Sequence, residues 1–436
     1  FGRPPRLLGL DTARGLAVFG MIGAHVGLVP ELQWSDPATW GGLIHGRSAI
    51  LFALVAGISV ALLTGGRVRP EGERLRQARL RMAGRALAIL AIGLGLEAIG
   101  TSILVILPMY GFLFLVLLPF LGWSRRSLVI AAAVVAVVGP VVSFSLQAMT
   151  QSSGSGANLA VLVWGTYPLA TWLPLLFLGM ALGRSDLTSR RLAAGLIAAG
   201  AAVSALSYAG SAVLGSSMDT AANFASSADS SASGAASTKP IPGAEMDLTG
   251  MTCTREGIGF VSCYDEQVLA DEAASASESS GEWGSGYIAS WRAAGGFAHL
   301  RDSIVASGPH TGGIFEVLGA GGLVAAVIGA CLLLANRLRW LLLPVAAVGT
   351  MPLTAYSLHV VSVGLLITPL NLSGSWFPLA GGPQTNLFWL ICVLTLMAVC
   401  SLWAIVWGQG PLERVAAWAG RSLEAPRPAA KGQATN

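Results

Sequence analysis

The chain has 436 residues, of which 54% are hydrophobic and 11% are charged, and its formal net charge is +4. Soluble domains carry about 25% charged residues, so this composition excludes an ordinary soluble enzyme, a nucleic-acid-binding domain and a disordered scaffold. The basic residues lie between long apolar runs instead of forming one stripe. That arrangement is typical of a polytopic membrane protein, and we expect no nucleic-acid partner.

The apolar runs predict an all-α fold with about ten transmembrane helices and a large extracytoplasmic insert. Each run approaches the roughly 20 apolar residues that a transmembrane helix needs. The predicted spans are Leu7–Val29, Leu43–Thr64, Ala83–Thr101, Ile103–Trp123, Leu128–Met149, Tyr167–Gly183, Leu192–Leu214, Gly313–Ala335, Trp340–Thr368 and Leu387–Gly408.

Loop arginines predict the orientation, because cytoplasmic loops are enriched in Lys and Arg. Seven arginines lie between Arg67 and Arg85. If the spans alternate, these and most other basic residues fall on one side. We therefore expect a multi-pass protein of the plasma membrane with both termini in the cytoplasm. The first span contains Asp11 and Arg14 and no cleavage pattern, which favours a retained helix over a signal peptide.

The composition divides the chain into four regions. We predict an N-terminal membrane bundle over residues 1–214, an insert or lid over 215–309, a C-terminal bundle over 310–410 and a cytoplasmic tail over 411–436. The insert is acidic, with twelve Asp or Glu against four Lys or Arg, and its first part, Ser216–Thr238, is expected to be a low-complexity linker.

Five cysteines are too few for a disulfide-rich fold. Cys253 and Cys263 lie in the insert, which is predicted to face an oxidising compartment, so we expect a disulfide between them; two free thiols are the alternative. The remaining cysteines lie in predicted helices, where packing is the expected role.

The first span carries the most informative polar residues. Asp11 and Arg14 are three residues apart and so are neighbours on the helix surface. His25 follows Arg14 by eleven residues, almost three full turns, which places it on the same face roughly 16 Å further along the axis. Ionisable groups within a membrane are costly and usually functional. A structural ion pair and a hydrogen-bonded core histidine are the alternative.

A second cluster opens the second span. His45 and Arg47 follow a loop that contains Asp36, and Arg47 departs from the charge asymmetry of the other loops. We expect Asp36 and Arg47 to contribute to an outer substrate site. The alternative for Arg47 is an arginine that extends to the membrane interface.

The arginine-rich loop that precedes the third span also has two interpretations. It can set the topology and attract anionic lipid, or it can hold the phosphates of a nucleotide-bearing donor. In the second case Arg14 and Arg85 are the candidate cofactor-binding residues.

Later spans add three candidates for substrate binding. Pro352 is expected to kink the ninth span, where Tyr356 and His359 are three residues apart on one face. His310 precedes the eighth span and is either a substrate contact or a helix cap. The histidines are scattered and no metal-binding motif occurs, so we expect no metal.

The first two spans and the ninth resemble a known family. The pattern formed by Arg6, Leu10, Asp11, Arg14 and Gly15 is similar to one in multipass membrane acyltransferases. The segment WGGLIHGRSAILFALVAGIS resembles the catalytic region of heparan-α-glucosaminide N-acetyltransferases and their YeiB-like relatives, and VGTMPLTAYSLH resembles the late region of the same group.

The resemblance implies acetyl transfer from cytoplasmic acetyl-CoA to a sugar, glycan or glycolipid on the far side. His25 matches the position where the broader acyltransferase-3 family has its essential histidine. Heparan-type enzymes instead place their active histidine shortly before the next Trp-x-Gly, whereas Ser35, Asp36 and Pro37 precede Trp40 here. The expected catalytic residues are therefore His25 first, His45 second, and Asp11 and Arg14.

An imidazole can act as the base or carry the acyl group itself, and the resemblance leaves O- and N-acylation open. Acyl-CoA, the sugar or glycolipid acceptor, membrane lipid and a second copy of the chain are the expected partners. A transporter of a small envelope precursor and a non-catalytic envelope scaffold are the alternative functions.

Overall fold

The computed structural model describes residues 6–30, 32–33, 35–101, 103–151, 169–229, 251–256, 260–265, 296–367 and 386–424. Nearly all of these residues are helical, which confirms an all-α polytopic membrane protein. The first half contains α1 (Leu8–Val26), α2 (Arg47–Leu63), α3 (Gly72–Glu97), α4 (Leu107–Val116), α5 (Arg125–Gln151), α6 (Leu169–Gly183) and α7 (Arg190–Asp229). Short 3₁₀ helices at Pro37–Ile44 and Leu118–Gly122 precede α2 and follow α4.

The second half contains α8 (Gly296–Val305), α9 (Ile314–Leu334), α10 (Arg339–Thr350), α11 (Pro352–Ser362), α12 (Leu387–Val406) and α13 (Pro411–Ser422). A π-helical turn at Val363–Ile367 extends α11. The predicted kink at Pro352 is confirmed, because α10 and the helix after it meet at 76°. The proline has no N–H to continue the hydrogen-bond ladder of α10.

Five described helices are long and apolar enough to cross a membrane, or six if the bent pair is one span. Two more apolar helices, α4 and the Thr171–Gly183 part of α6, are shorter. The total of ten spans and the four-region division stay predictions. The arginine-rich segment before the third predicted span belongs to α3, which is consistent with its helix-favouring Leu, Arg, Glu and Ala residues.

The insert differs from its prediction at its start. The backbone from residue 216 to Asp229 continues α7, so the expected linker at Ser216–Thr238 is wrong over this part. Alanine favours helix, and no Gly or Pro interrupts residues 216–229. Further along, β1 (Met251–Glu256) and β2 (Phe260–Asp265) form an antiparallel hairpin whose register places Cys253 opposite Cys263. The disulfide itself stays a prediction.

The first helix lies at the centre of the bundle. It contacts α2 from the first half and α9, α10, α11 and α12 from the second. Fifteen of its nineteen residues are buried, including Asp11. Residues from both halves of the chain therefore meet around α1, and the functional candidates on α1 lie at this meeting point.

Close contact between α2 and α6 depends on glycine at two facing positions. A Cβ atom at Gly57 would lie 2.3 Å from the carbonyl oxygen of Leu176, and one at Gly179 would lie 2.2 Å from that of Leu54. Small residues at such crossings let helix backbones approach within a membrane.

We expect Gly57→Ala to lower the thermal unfolding midpoint of the protein in detergent, because the added methyl group meets backbone and costs about 1–3 kcal/mol. Gly95→Ala is the matched control, since nothing lies within 4 Å of a Cβ at exposed Gly95 on α3. Equal midpoints for the two variants would contradict the close α2–α6 contact.

Candidate functional site

One face of α1 carries the ion pair and the histidine in the predicted arrangement. An Arg14 Nη atom donates to an Asp11 carboxylate oxygen, and the other Nη donates to Ser59 Oγ on α2 at 2.8 Å. Asp11 is 6% exposed, so the pair is withdrawn from lipid. Met21 lies seven residues after Arg14 and four before His25, so all three side chains share this face.

A cavity of about 350 Å³ opens beside Arg14. Its polar lining includes Arg14, Ser59, Arg85 and Glu413, and its apolar lining includes Phe52, Tyr110 and Leu353. We call it the Arg14 cavity. The structure thus brings Arg14 and Arg85 together, although they are 71 residues apart in the sequence. Their predicted role in cofactor binding stays a prediction.

Arg85 provides an uncompensated positive group at this cavity. Its Nε is buried and has no hydrogen-bond partner among the described residues. None of the ion pairs within the described residues includes Arg85. Arg85 is half-buried, and a buried Nε without a partner is expected to meet an acceptor from a ligand. The Arg14 cavity therefore suits a ligand that carries negative charge.

Glu413 closes the same cavity from α13. One carboxylate oxygen accepts from the backbone N–H groups of Leu353 and Thr354, at 2.7 and 3.1 Å, and the other accepts from Thr354 Oγ1 at 2.5 Å. These bonds satisfy the free amides at the start of α11. Burial raises the pKa of the Glu413 carboxyl. Glu413 therefore holds the kinked helix in place.

A second cavity, of about 270 Å³, lies at the other end of α1. Its polar lining consists of His25, His45, Ser48, His310 and Tyr356, and we call it the His25 cavity. The ring centroids of His45 and His310 are 5.7 Å apart. The structure therefore brings together three histidines that are scattered in the sequence.

The imidazole of His25 is held by the kinked ninth span. His25 Nδ1 lies 3.2 Å from His359 Nε2, within hydrogen-bond distance, and the two rings are parallel within 2°. Tyr356 lies one turn before His359 on α11, with its ring centroid 6.5 Å from that of His25. Tyr356 Oη accepts from the Ile106 N–H at 3.3 Å. His359 is thus behind His25, and the Nε2 of His25 is the nitrogen that remains for a ligand.

A strained turn presents His310 to the cavity. His310 has a φ of 63°, a conformation that non-glycine residues rarely adopt. The buried carboxylate of Glu316 accepts from the N–H groups of His310 and Gly312, both at 2.7 Å, and from Thr311 Oγ1 at 3.1 Å. Strain of this kind persists where neighbouring contacts hold it, so Glu316 is the residue that fixes the turn.

The two cavities meet at a common wall. Met21, Ile106 and Tyr356 line both of them. Each of these side chains is less than 9% exposed. Because the same three side chains face both spaces, the wall is one layer of side chains thick. The Arg14 cavity and the His25 cavity therefore lie end to end along α1.

Two predicted substrate residues have other contacts. Asp36 Oδ1 accepts from the Ala38 N–H at 2.9 Å and caps a 3₁₀ helix on an exposed loop. Arg47 donates from Nε to Tyr208 Oη at 2.9 Å and lies outside the lining of the His25 cavity. For Asp36 these contacts indicate a structural role.

Four residues of the site were missed by sequence reasoning. Ser59 and Met21 are ordinary side chains in apolar helices and gave no signal. Glu413 lies in the predicted tail and Glu316 near the start of the eighth predicted span, and neither belongs to a motif that marked it. Within the described part of the chain, no group of three or more His, Cys, Asp or Glu could hold a metal ion.

Two family models match the chain. The model described as heparan-alpha-glucosaminide N-acetyltransferase, catalytic, matches residues 6–215, and the one described as protein of unknown function (DUF418) matches residues 284–420. Together they cover about four-fifths of the chain and include His25, both Arg14 and Arg85, and the His359 region. No curated protein and no solved structure matches it.

We expect Glu316→Gln to loosen the turn at residues 308–313, because an amide cannot accept at both of its heteroatoms. Losing one charge-assisted bond costs about 1.5–3 kcal/mol, so amide hydrogen exchange in this turn should accelerate by about tenfold or more. Glu97→Gln changes an exposed carboxylate and is the control. Unchanged exchange in Glu316→Gln would show that the carboxylate does not hold the turn.

Proposed function

The chain belongs to the heparan-α-glucosaminide N-acetyltransferase-like family of membrane proteins, and from this premise we propose that it moves an acetyl group across the bilayer. The donor is cytoplasmic acetyl-CoA, and the acceptor is a hydroxyl or amine of an extracytoplasmic sugar, glycan or glycolipid. The protein lies in the plasma membrane with its Arg14 end towards the cytoplasm.

The shared wall between the two cavities is the observation that carries this proposal. A group transfer across a membrane needs a donor site and an acceptor site that open to opposite sides and meet at the reacting atoms. The Arg14 cavity and the His25 cavity lie end to end along α1, separated by Met21, Ile106 and Tyr356. Met21 is unbranched and adaptable, so an acetyl group has only this layer to pass.

The Arg14 cavity suits the acyl-bearing end of the donor by size and a phosphate of the donor by charge. Its volume falls within the roughly 300–1,000 Å³ range of ligand pockets. Arg85 has a buried Nε without a partner among the described residues, which suits a phosphate oxygen. Arg14 is already neutralised by Asp11 and fixed by Ser59, so we assign it to shaping the cavity near the wall.

The His25 cavity suits the acceptor. In the proposed step, His25 Nε2 takes a proton from the acceptor hydroxyl or amine. The acceptor oxygen or nitrogen then forms a bond to the acetyl carbon. The carbon–sulfur bond of acetyl-CoA breaks, and the proton held on His25 Nε2 passes to the departing thiolate, so acetylated acceptor, free CoA and neutral His25 are the products.

His359 is a positioning residue in this scheme. Its Nε2 faces His25 Nδ1 at 3.2 Å and fixes the orientation of the imidazole. A base whose ring is oriented by a third group is the general arrangement of activated nucleophile sites. His45 and His310 line the same cavity, and in this scheme they hydrogen-bond the hydroxyls of a sugar.

A transporter is less well supported. Transporters built from inverted repeats have broken helices in corresponding positions of both halves. Among the described helices, one pair, α10 and α11, shows such a break.

Purified protein in lipid nanodiscs, incubated with radiolabelled acetyl-CoA and an extract of cell-envelope glycans and lipids, tests the proposal. Label should pass to an acceptor, and CoA should appear in equal amount. Flux of an envelope precursor across vesicles without any acetyl transfer would favour the transporter instead.

We expect His25→Ala to reduce transfer by about 10²–10⁴-fold, the usual contribution of a general base. His359→Ala should lower kcat by about tenfold with little change in KM, because the imidazole is misoriented but present. His359→Gln should recover part of this loss, since its amide can bond to His25 Nδ1.

Leu358→Ala is the matched control for the His359 variants, because Leu358 is the adjacent residue and faces outward, 43% exposed. Full transfer by His25→Ala would exclude His25 as the base. Equal kcat for His359→Ala, His359→Gln and wild type would exclude the positioning role.

We expect Arg85→Gln to raise the KM for acetyl-CoA by about tenfold, since a charge-assisted phosphate contact is lost. With S-acetylpantetheine, which has no phosphate, the same variant should match wild type. Arg74→Gln, on the exposed part of α3, is the control. An equal effect of Arg85→Gln on both donors would contradict a phosphate contact.

A further inference from the structure

An apolar cleft of about 760 Å³ lies between α1, α2, α9 and α12. Its walls include Leu16, Phe19, Leu51, Val324, Val327 and Leu390. The indole of Trp389 on α12 donates to the carbonyl oxygen of Phe19 at 3.0 Å, which joins the two sides of the cleft. The cleft is therefore bounded by helices that contact each other directly, and its volume exceeds that of the Arg14 and His25 cavities combined.

Polar groups gather at one end of this cleft. Arg47 and Ser48 lie at the start of α2, and Asn386 lies at the start of α12, where its Oδ1 accepts from the Leu28 N–H at 2.6 Å just beyond the end of α1. The remaining lining towards mid-helix is apolar. An apolar space with a polar end matches the shape of a membrane lipid, whose chain and headgroup divide in the same way.

Arg47 gives that polar end a positive charge. It is only 9% exposed. It donates to Tyr208 Oη at 2.9 Å and to the Gly42 carbonyl oxygen at 3.3 Å. No described carboxylate lies within 4 Å of it. Glu316 interacts electrostatically with Arg47 but forms no ion pair with it within 4 Å. A buried guanidinium without a direct carboxylate contact favours an anionic ligand, so the lipid that suits the cleft has a negatively charged headgroup.

The cleft and the His25 cavity share a wall. Ile44 and Ser48 line both spaces. The polar end of the cleft therefore lies next to the proposed acceptor site. A cleft that only accommodated bulk membrane lipid would not need to adjoin that site. A molecule with a chain in the cleft can place its headgroup at His25.

We propose that the acceptor is an anionic glycolipid, a sugar joined through a phosphate to a long apolar chain. The chain lies in the apolar cleft, the phosphate contacts Arg47, and the sugar lies in the His25 cavity. This inference rests on the proposed acetyl transfer and narrows its acceptor from any sugar to a lipid-linked one.

The test uses nanodisc-embedded protein, labelled acetyl-CoA and, as the source of acceptor, total envelope membranes from the organism in which the protein occurs. Label should enter the organic phase on solvent extraction and move to the aqueous phase after mild acid, which cleaves a sugar–phosphate–lipid linkage. Label found only in water-soluble glycan, or in lipid that mild acid does not cleave, would overturn the glycolipid proposal while acetyl transfer stands. Absence of any transferred label would instead overturn the acetyl transfer itself.

Val327→Trp, which fills the cleft from α9, should reduce label in the lipid fraction by about tenfold. Leu318→Trp is the matched control, because Leu318 is on the same helix, 41% exposed and outside the cleft lining. Arg47→Gln should reduce the label by a similar factor. The thermal unfolding midpoint in detergent, compared across the variants, distinguishes a blocked cleft from a misfolded protein. Equal lipid labelling by Val327→Trp and Leu318→Trp would contradict the proposal.

Discussion

The cost of a charge in hydrocarbon is the constraint on which the site depends. An ionisable side chain in a membrane must be paired, or it must line a cavity. Asp11 and Arg14 form an ion pair on one turn of α1, and the second Nη atom of Arg14 donates to Ser59. Arg85 instead lines the cavity beside them with an unpartnered nitrogen among the described residues. The Asp11–Arg14 ion pair therefore forms a neutral part of the cavity wall, and Arg85 provides the positive charge that a ligand can contact.

The pitch of α1 places the residues of the proposed reaction path in sequence along one helix face. Arg14, Met21 and His25 share one face because their spacings of seven and four residues are close to whole turns. The kinked ninth span then completes each position. Glu413 holds the start of α11, Tyr356 contributes to the wall, and His359 contacts His25. Because both halves of the chain meet here, neither half contains a complete site.

Local spacing along the first helix predicted the common face of Asp11, Arg14 and His25, and Pro352 predicted the 76° bend. Contacts between distant segments were beyond such reasoning. The pairing of His25 with His359 joins residues 334 positions apart, and it depends on how α1 crosses α11. Asp36, predicted to bind substrate, caps a short helix, a role that its position beside a motif did not indicate; its contact with substrate stays a prediction. Side-chain spacing predicts which residues share a face of one helix. A site in a bundle also depends on where different helices cross, which the spacing does not predict.

The position of the bound donor shows whether acetyl transfer runs between the Arg14 cavity and the His25 cavity. A cryo-electron-microscopy structure of the protein in nanodiscs with a thioether analogue of acetyl-CoA would reveal it. We expect density for the pantetheine chain in the Arg14 cavity, with phosphate oxygens near Arg85 and the acyl end against Met21 and Tyr356. An analogue bound outside the Arg14 cavity, with its acyl end away from that wall, would contradict transfer between the two cavities.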